Sequence, residues 1–123
     1  MTARPRLALV SSDLETRRRL AEYLTGAGFA VHECDELSIP SSFASLVLVS
    51  GRAADADALR ARVRSWLKLA SSPRVVVVTA KPSALKDLAA IHGARLFVLA
   101  APAFGWDVVD ALRENPIEGP RGA

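Results

Sequence analysis

The sequence predicts an α/β fold, a doubly wound parallel sheet of five strands with helices on both faces, and three observations lead to it. Five short apolar runs alternate with stretches of helical periodicity. The runs are continuous rather than alternating with polar residues, as in strands buried on both faces. The chain has 123 residues, 50% of them hydrophobic, so it is the size of one domain with a single core.

The first strand and helix come from the stretch RLALVSSD and the residues after it. Leu7–Val10 is a short apolar run that ends in two serines and an acid, and a helix from Asp13 to about Thr25 follows. The spacing of Ser12 and Glu15 fits a capping box, so the Ser12 hydroxyl is predicted to cap this helix. Its expected inward stripe consists of Leu14, Leu20, Ala21 and Leu24. Two glycines are expected to end it, Gly26 and Gly28.

The link between the second and third strands is unusually short. These strands are predicted at Phe29–Cys34 and Leu46–Val49, with only ten residues, Asp35–Ala44, between Cys34 and Ser45. A parallel crossover usually contains a helix and needs a dozen or more residues. Ten extended residues reach about 33 Å, enough to return along a strand of about 17 Å. We therefore expect a crossover whose helix is shortened or missing.

The middle of the chain contains the strongest helical pattern. Asp55–Ala70 carries an inward stripe that includes Trp66, which is therefore predicted to lie in the core. Arg74–Thr79, RVVVVT, follows as an unbroken β-branched run typical of a fully buried strand.

The last third of the chain repeats the alternation once more. A helix beginning at Pro82 is expected to place Leu85, Leu88, Ala89 and His92 inward and to end at Gly93. A fifth strand at Arg95–Leu99 and a last helix from about Phe104 to Glu114 complete a domain over residues 1–114. Asn115–Ala123 is rich in Pro and Gly and is predicted to be a tail or the start of a linker. Right-handed crossovers favour the flavodoxin-like strand order 2-1-3-4-5, with the first strand central.

Composition narrows the function classes. Cys34 is the only cysteine, so no disulfide framework is possible, which suits a reducing cytosol. No run is long enough for a secretory signal or a membrane span, and we expect a soluble cytoplasmic protein without a membrane partner. Sixteen Lys and Arg against thirteen Asp and Glu give a net charge of +3, a mild excess that does not by itself require nucleic acid.

Four stretches occur in a characteristic order: LALVSSDLETRRRLAEYLTGAGF, SLVLVS, RVVVVTA after Ser72-Pro73, and GARLFVLAAP before the last helix. Together, from Arg6 to Glu114, they resemble the receiver domain of bacterial response regulators. The resemblance implies paired acids that hold magnesium after the first strand, and these positions are Ser11 and Ser12. It implies a phosphate-accepting aspartate after the third strand, and this position is Ser50.

The remaining two family positions lie after the fourth and fifth strands. The family's Ser or Thr is kept as Thr79. Its lysine falls on Ala100 when counted from Gly93-Ala94, or on Ala101 when aligned on the proline. Three reactive roles are therefore missing, and the chain resembles a degenerate pseudo-receiver.

Chemistry gives the same expectation independently. Hydroxyls alone offer Mg²⁺ no negative charge, and a serine alcohol, unlike a carboxylate, needs a base before it attacks. We expect no metal, no cofactor and no enzymatic activity. Two residues leave alternatives open: a register shift could bring Asp13 near the metal position, and Lys81 could swing over the pocket, although a first-turn acid and a solvated lysine are the simpler interpretations.

The favoured hypothesis is a signalling module that binds a protein partner, or a second copy of itself, without phosphorylation. In receivers, the helix after the fourth strand, the fifth strand and the last helix commonly form the partner face. The candidate residues there are Ile91, Trp106, Asp110 and Arg113, which lie off the inward stripes or near such residues.

Two alternatives come from other parts of the chain. One is an enzyme or small-molecule binder that holds an anion at the end of the first strand, next to the helix N-terminus, although no Gly-rich phosphate loop is present. The other is nucleic-acid binding through the basic helix of Arg60, Arg62, Arg64 and Lys68, which lacks a recognised motif.

Overall fold

The computed structural model describes residues 6–11, 13–34, 45–50, 56–68, 73–93, 95–100 and 105–113. Within these residues, strands and helices alternate as the sequence predicts. The elements are β1 Arg6–Ser11, α1 Leu14–Gly26, β2 Ala30–Cys34, β3 Ser45–Val49, α2 Ala56–Leu67, β4 Arg74–Thr79, the 3-10 turn Pro82–Leu85, α3 Lys86–Ile91, β5 Leu96–Ala100 and α4 Gly105–Arg113. The short link 35–44 and the tail 115–123 lie outside the described residues.

The strands form one parallel sheet in the order β2-β1-β3-β4-β5. This confirms the predicted flavodoxin-like α/β fold and the central position of β1. The winding of the sheet reverses between β1 and β3, and folds of this class bind ligands beyond the strand ends at that point.

The two ends of the sheet are named here because the rest of the description depends on them. The carboxyl edge is the end at which the strands finish, at Ser11, Cys34, Val49, Thr79 and Ala100. The amino edge is the opposite end, at which β1, β4 and β5 begin with Arg6, Arg74 and Leu96. Helices return against the strands, so each helix begins near the carboxyl edge and ends near the amino edge.

Alternate side chains of each strand enter two separate apolar layers. On the α1/α4 face, Leu7 packs in a cluster with Leu24 and Val108. On the α2/α3 face, Val10 packs in a cluster with Trp66, whose side chain is only 1% exposed, so its predicted core position is confirmed. The sheet is therefore buried on both faces, which is why its strands are continuous apolar runs.

The start of α1 differs from the prediction. Asp13, not Ser12, is the N-cap, because the Asp13 carboxylate accepts the amide hydrogen bonds of Glu15 and Thr16. Ser12 itself lies outside the described residues. The expected inward position of Leu14 is also wrong: this side chain is 51% exposed. Leu14 lies about 10 Å along the helix axis from Ala21, the first buried residue of α1.

The segment after β4 is also less regular than predicted. It begins with the 3-10 turn at Pro82, and only six residues follow in α-helical geometry. Leu85 and Leu88 are buried as expected, while Ala89 and His92 are half-buried. In the part of the chain that the structure describes, no helix is both long and apolar enough to cross a membrane.

Candidate functional site

Three buried hydroxyl side chains lie at the carboxyl edge, at the ends of the adjacent strands β1, β3 and β4. Ser11, Ser50 and Thr79 are 1%, 8% and 2% exposed, respectively. The amide of Ser50 donates to the carbonyl oxygen of Val78 at 2.8 Å, which holds Ser50 beside β4. Ala100 lies opposite Thr79 in the ladder and is exposed, whereas Ser12 and Ala101 lie outside the described residues.

Two of these hydroxyls are engaged in local turns. The Ser11 Oγ accepts from the amide of Asp13 at 3.2 Å and lies 3.5 Å from the Asp13 carbonyl oxygen. The Thr79 Oγ1 accepts from the amide of Lys81 at 3.0 Å. Serine and threonine commonly bend a chain in this way. Both side chains thus turn the backbone out of its strand.

Asp13 is turned onto its own helix rather than toward a metal position. Its Oδ1 accepts from the amide of Glu15 at 3.1 Å, and its Oδ2 accepts from the Thr16 hydroxyl at 2.8 Å. The hydrogen bond from the Thr16 side chain is the main reason that the pKa of Asp13 is lowered. Among the described residues, no group of three His, Cys, Asp or Glu side chains could hold a metal ion.

Arg17, which is not among the predicted site residues, lies at the ends of β1 and β2. The Arg17 Nη1 donates to the carbonyl oxygens of Ser11 at 3.2 Å and Cys34 at 3.1 Å. Its Nε lies 3.4 Å from the Glu33 carboxylate. The guanidinium therefore satisfies two strand-end carbonyl groups that parallel pairing leaves open. The only signal in the sequence was the arginine run of α1 one turn after the cap.

Lys81, the other possible cation, lies directly after β4. Lys81 is exposed, and its backbone amide donates to the Thr79 hydroxyl. The possibility that the Lys81 side chain swings over the strand-end hydroxyls therefore stays a prediction.

The expected partner residues lie at the two ends of β5. Ile91 closes α3 near the amino edge and is 72% exposed, whereas Trp106 lies in the first turn of α4 near the carboxyl edge and is 54% exposed. β5 has five residues and is about 13 Å long. Ile91 and Trp106 therefore lie at opposite ends of β5, on helices that pack against opposite faces of the sheet, and do not form one compact patch.

The two charged candidates on α4 differ from each other. Asp110 is exposed. The Arg113 Nη2 donates to the carbonyl oxygen of Ala27 at 2.8 Å, and its guanidinium carbon lies 5.9 Å from the centre of the Phe29 ring. Arg113 thus fastens α4 to the end of α1. Its predicted place in the partner surface stays a prediction.

The basic helix α2 is not one continuous cationic surface. The Arg60 guanidinium donates to the carbonyl oxygen of Ala84 at 2.7 Å and, through Nη2, to the Asp87 carboxylate at 2.9 Å. This hydrogen bond is the main reason that the pKa of Asp87 is lowered to about 2. Arg64 and Lys68 are exposed, while Arg62 is half-buried. One of the four cations therefore holds α2 against α3.

The strand order defines a flavodoxin-like α/β domain, and a similar domain is found among solved protein structures. A structure described as adenylate cyclase from Rhodopirellula baltica matches with a TM-score of 0.66 and 13% sequence identity, over 89% of this chain and 84% of that one. At this identity the likeness shows the fold alone. No protein-family model matches the chain, and no curated protein matches its sequence.

Proposed function

We propose that the chain is a receiver-like signalling module that neither accepts phosphate nor catalyses a reaction, and that binds a protein partner through α3, β5 and α4. The observation that carries the proposal is the composition of the carboxyl edge. Where a phosphate-accepting receiver would need acids, this edge has the buried hydroxyls of Ser11 and Ser50, and Ala100 stands where one alignment places the lysine.

The chemistry of this edge argues against phosphoryl transfer. A serine nucleophile needs a base within hydrogen-bond reach, and Mg²⁺ needs anionic oxygen ligands. Asp13, the acid nearest to Ser11 along β1 and α1, is engaged by the amide of Glu15 and the hydroxyl of Thr16. These contacts favour a structural role for the hydroxyls.

The proposed partner surface is favoured by the apolar character of β5. It is the last strand in the sheet order, so one of its two sides has no neighbouring strand among the described residues. Phe97, Val98 and Leu99 are only half-buried, and exposed edges of this kind are sites at which another chain docks. Ile91 and Trp106 extend this apolar surface at its two ends.

Two observations weigh against the alternatives. The Asp13 carboxylate already occupies the first amides of α1, so an external anion would have to displace it from the end of β1. The Arg60 contact with Asp87 interrupts the basic helix that nucleic acid would need, and binding through the remaining cations would fall steeply with salt.

The test has two arms, and the first examines the carboxyl edge. Amide NMR spectra are recorded with Mg²⁺, with and without beryllofluoride, a phosphoryl mimic. We expect no shifts at Ser11, Ser50 or Thr79. Shifts centred on these residues at millimolar ligand would show a working phosphate site and overturn the proposal.

The second arm examines the partner face. Trp106→Ala and Ile91→Ala are expected to abolish capture of a partner protein, or dissociate a homodimer in sedimentation velocity. Leu14→Ala is the matched control, because Leu14 is similarly exposed but lies on α1. Equal loss in the control, or full binding in both face variants, would contradict the proposed surface.

A further inference from the structure

A cleft on the α1/α4 face has no role in the proposed partner surface. It lies between α1 and α4, near the carboxyl edge, and has a volume of about 380 Å³. The described residues that line it are Thr16, Arg19, Leu20, Tyr23, Val49, Val78, Gly105 and Val108. Small-molecule sites in proteins typically have volumes of about 300 to 1,000 Å³, so the cleft is of sufficient size for one.

The cleft follows from how the two helices meet. At the amino edge they are fastened together by the hydrogen bond from Arg113 to the carbonyl oxygen of Ala27. Toward the carboxyl edge, the Tyr23 ring packs so closely on Gly105 that an added Cβ would lie 2.6 Å from the Tyr23 Cδ1. α4 thus begins beside the third turn of α1, and the first two turns of α1 overlook a floor formed by short valine side chains.

The lining is apolar inside and cationic at the rim. Leu20, Val49, Val78 and Val108 supply aliphatic surface, and Tyr23 supplies an aromatic ring. The polar groups of the described lining are the Thr16 hydroxyl, which already donates to Asp13, the Tyr23 hydroxyl and the Arg19 guanidinium. No acidic residue belongs to this lining.

The cation is available to a ligand. Arg19 pairs with Glu15 at 3.0 Å, but the two side chains are 79% and 73% exposed. An exposed ion pair of this kind is weak, so a ligand anion can replace Glu15 as the partner of Arg19. A guanidinium at the mouth of an apolar cleft thus favours a ligand that has both an anionic group and an apolar part.

We propose that this cleft binds a small molecule that has a flat apolar ring system and an anionic group. The ring system packs against Leu20, Val49 and Val78, and the anion pairs with Arg19. The described lining includes neither the strand-end hydroxyls Ser11, Ser50 and Thr79 nor the partner-face residues Ile91 and Trp106, so variants of the lining test this site by itself.

The test is a titration of the full chain with the dye anilinonaphthalene sulfonate, which combines an aromatic system with an anion. We expect fluorescence that saturates at one dye per chain. Arg19→Glu should weaken binding about five- to tenfold, because it replaces attraction by repulsion at a partly exposed site. Arg18→Glu is the matched control: it makes the same charge change at an exposed position of the same helix that does not line the cleft.

Two further variants test the apolar part of the site. Val49→Phe fills the floor and should abolish saturable binding, whereas Val31→Phe makes the same change at a half-buried residue of the same face outside the cleft. Thr16→Trp narrows the mouth from the helix surface and keeps the test valid if Val49→Phe does not fold.

The outcomes separate clearly. Binding that does not saturate, binding that Arg18→Glu weakens as much as Arg19→Glu, or binding unchanged in both Val49→Phe and Thr16→Trp would overturn the proposal. Loss of binding in Ile91→Ala would place the dye on the partner face and overturn it as well.

Discussion

The two edges of the sheet use arginine and hydroxyl side chains in opposite ways. At the amino edge, Arg74 donates to the carbonyl oxygen of Leu112 at 2.6 Å, and Arg95 donates to that of Leu67 at 2.9 Å. Arg113 does the same at the end of α1. Three helices of the described chain therefore end on a guanidinium, which satisfies carbonyl groups that a helix leaves open and complements its dipole.

The carboxyl edge has a different composition. Among the described residues, the buried polar side chains of this edge are the uncharged Ser11, Ser50 and Thr79, and the cation Arg17 binds backbone carbonyl groups. Four arginines, Arg17, Arg74, Arg95 and Arg113, thus bind backbone carbonyl groups at the ends of strands or helices. At the strand ends, where this class of fold usually binds ligands, Ser11 and Thr79 are engaged in local turns.

The largest expected effect comes from placing an acid back at the carboxyl edge. Ser50→Asp puts a carboxylate at a position that is 8% exposed, which should destabilise the fold by about 2 to 3 kcal/mol at neutral pH. Burial raises the folded-state pKa of such an acid, so the penalty should shrink as pH falls and the carboxyl group becomes protonated. Urea unfolding at pH 7 and pH 4 measures both.

Unfolding of Ser50→Asp with and without Mg²⁺ shows whether the new carboxylate takes part in a metal site. We expect no stabilisation of the variant by millimolar Mg²⁺, because Ser11 supplies no second carboxylate. A rise in its unfolding free energy with Mg²⁺ would break the contrast between the edges, since it would show that a metal site survives there.

The second effect tests the amino edge. Arg74→Met removes the hydrogen bond to Leu112 and the stacking of the guanidinium over the Phe97 ring, 5.4 Å away, while it keeps an apolar stem. The expected loss is about 2 kcal/mol of unfolding free energy. Arg64→Met, at an exposed position of α2, should change it by less than about 0.5 kcal/mol. Equal losses would mean that the amino edge has no special role.

The same two edges differ in how far the sequence predicts them. The strands, their order and the core position of Trp66 are confirmed, because burial on both faces requires continuous apolar runs that can be read directly. That Ser11, Ser50 and Thr79 lie at neighbouring strand ends also follows from the strand order. These features depend on local pattern and on topology.

Other features depend on geometry that no local pattern contains. Arg17 reaches the carbonyl oxygen of Cys34 only because β2 lies beside β1 in one particular register. The cleft depends on how Tyr23 packs against Gly105, and the exposure of Leu14 differs from what the helical stripe predicts. The predicted cap, Ser12, is wrong by one residue, because serine and aspartate side chains can both accept the amide hydrogen bonds at a helix start.

A smaller effect examines the turn between β1 and α1. Asp13→Ala removes the acceptor of the Glu15 and Thr16 amides and should lower the Tm by about 3 to 5 °C. Asp13→Asn should retain most of the stability, because asparagine caps helices about as well as aspartate. If the alanine variant melted like the wild type, the cap would not be what holds the carboxyl edge in its turn geometry.

The smallest expected effect is the pH dependence of the pair that joins α2 to α3. The Arg60 hydrogen bond lowers the folded-state pKa of Asp87 from 3.8 to about 2, so its contribution is complete above pH 3.8 and is lost as pH falls toward 2. Because the Asp87 side chain is 59% exposed, solvent screening keeps this contribution small. The Tm of Asp87→Asn should therefore decrease less between pH 5 and pH 2 than the Tm of the wild type. Asp110→Asn, which changes an exposed acid on α4, is the control and should show the same pH dependence as the wild type. If the Tm of Asp87→Asn and that of the wild type depended on pH in the same way, the ion pair would not stabilise the fold. The contact between α2 and α3 would then rest on apolar residues such as the buried Leu59 and Leu88.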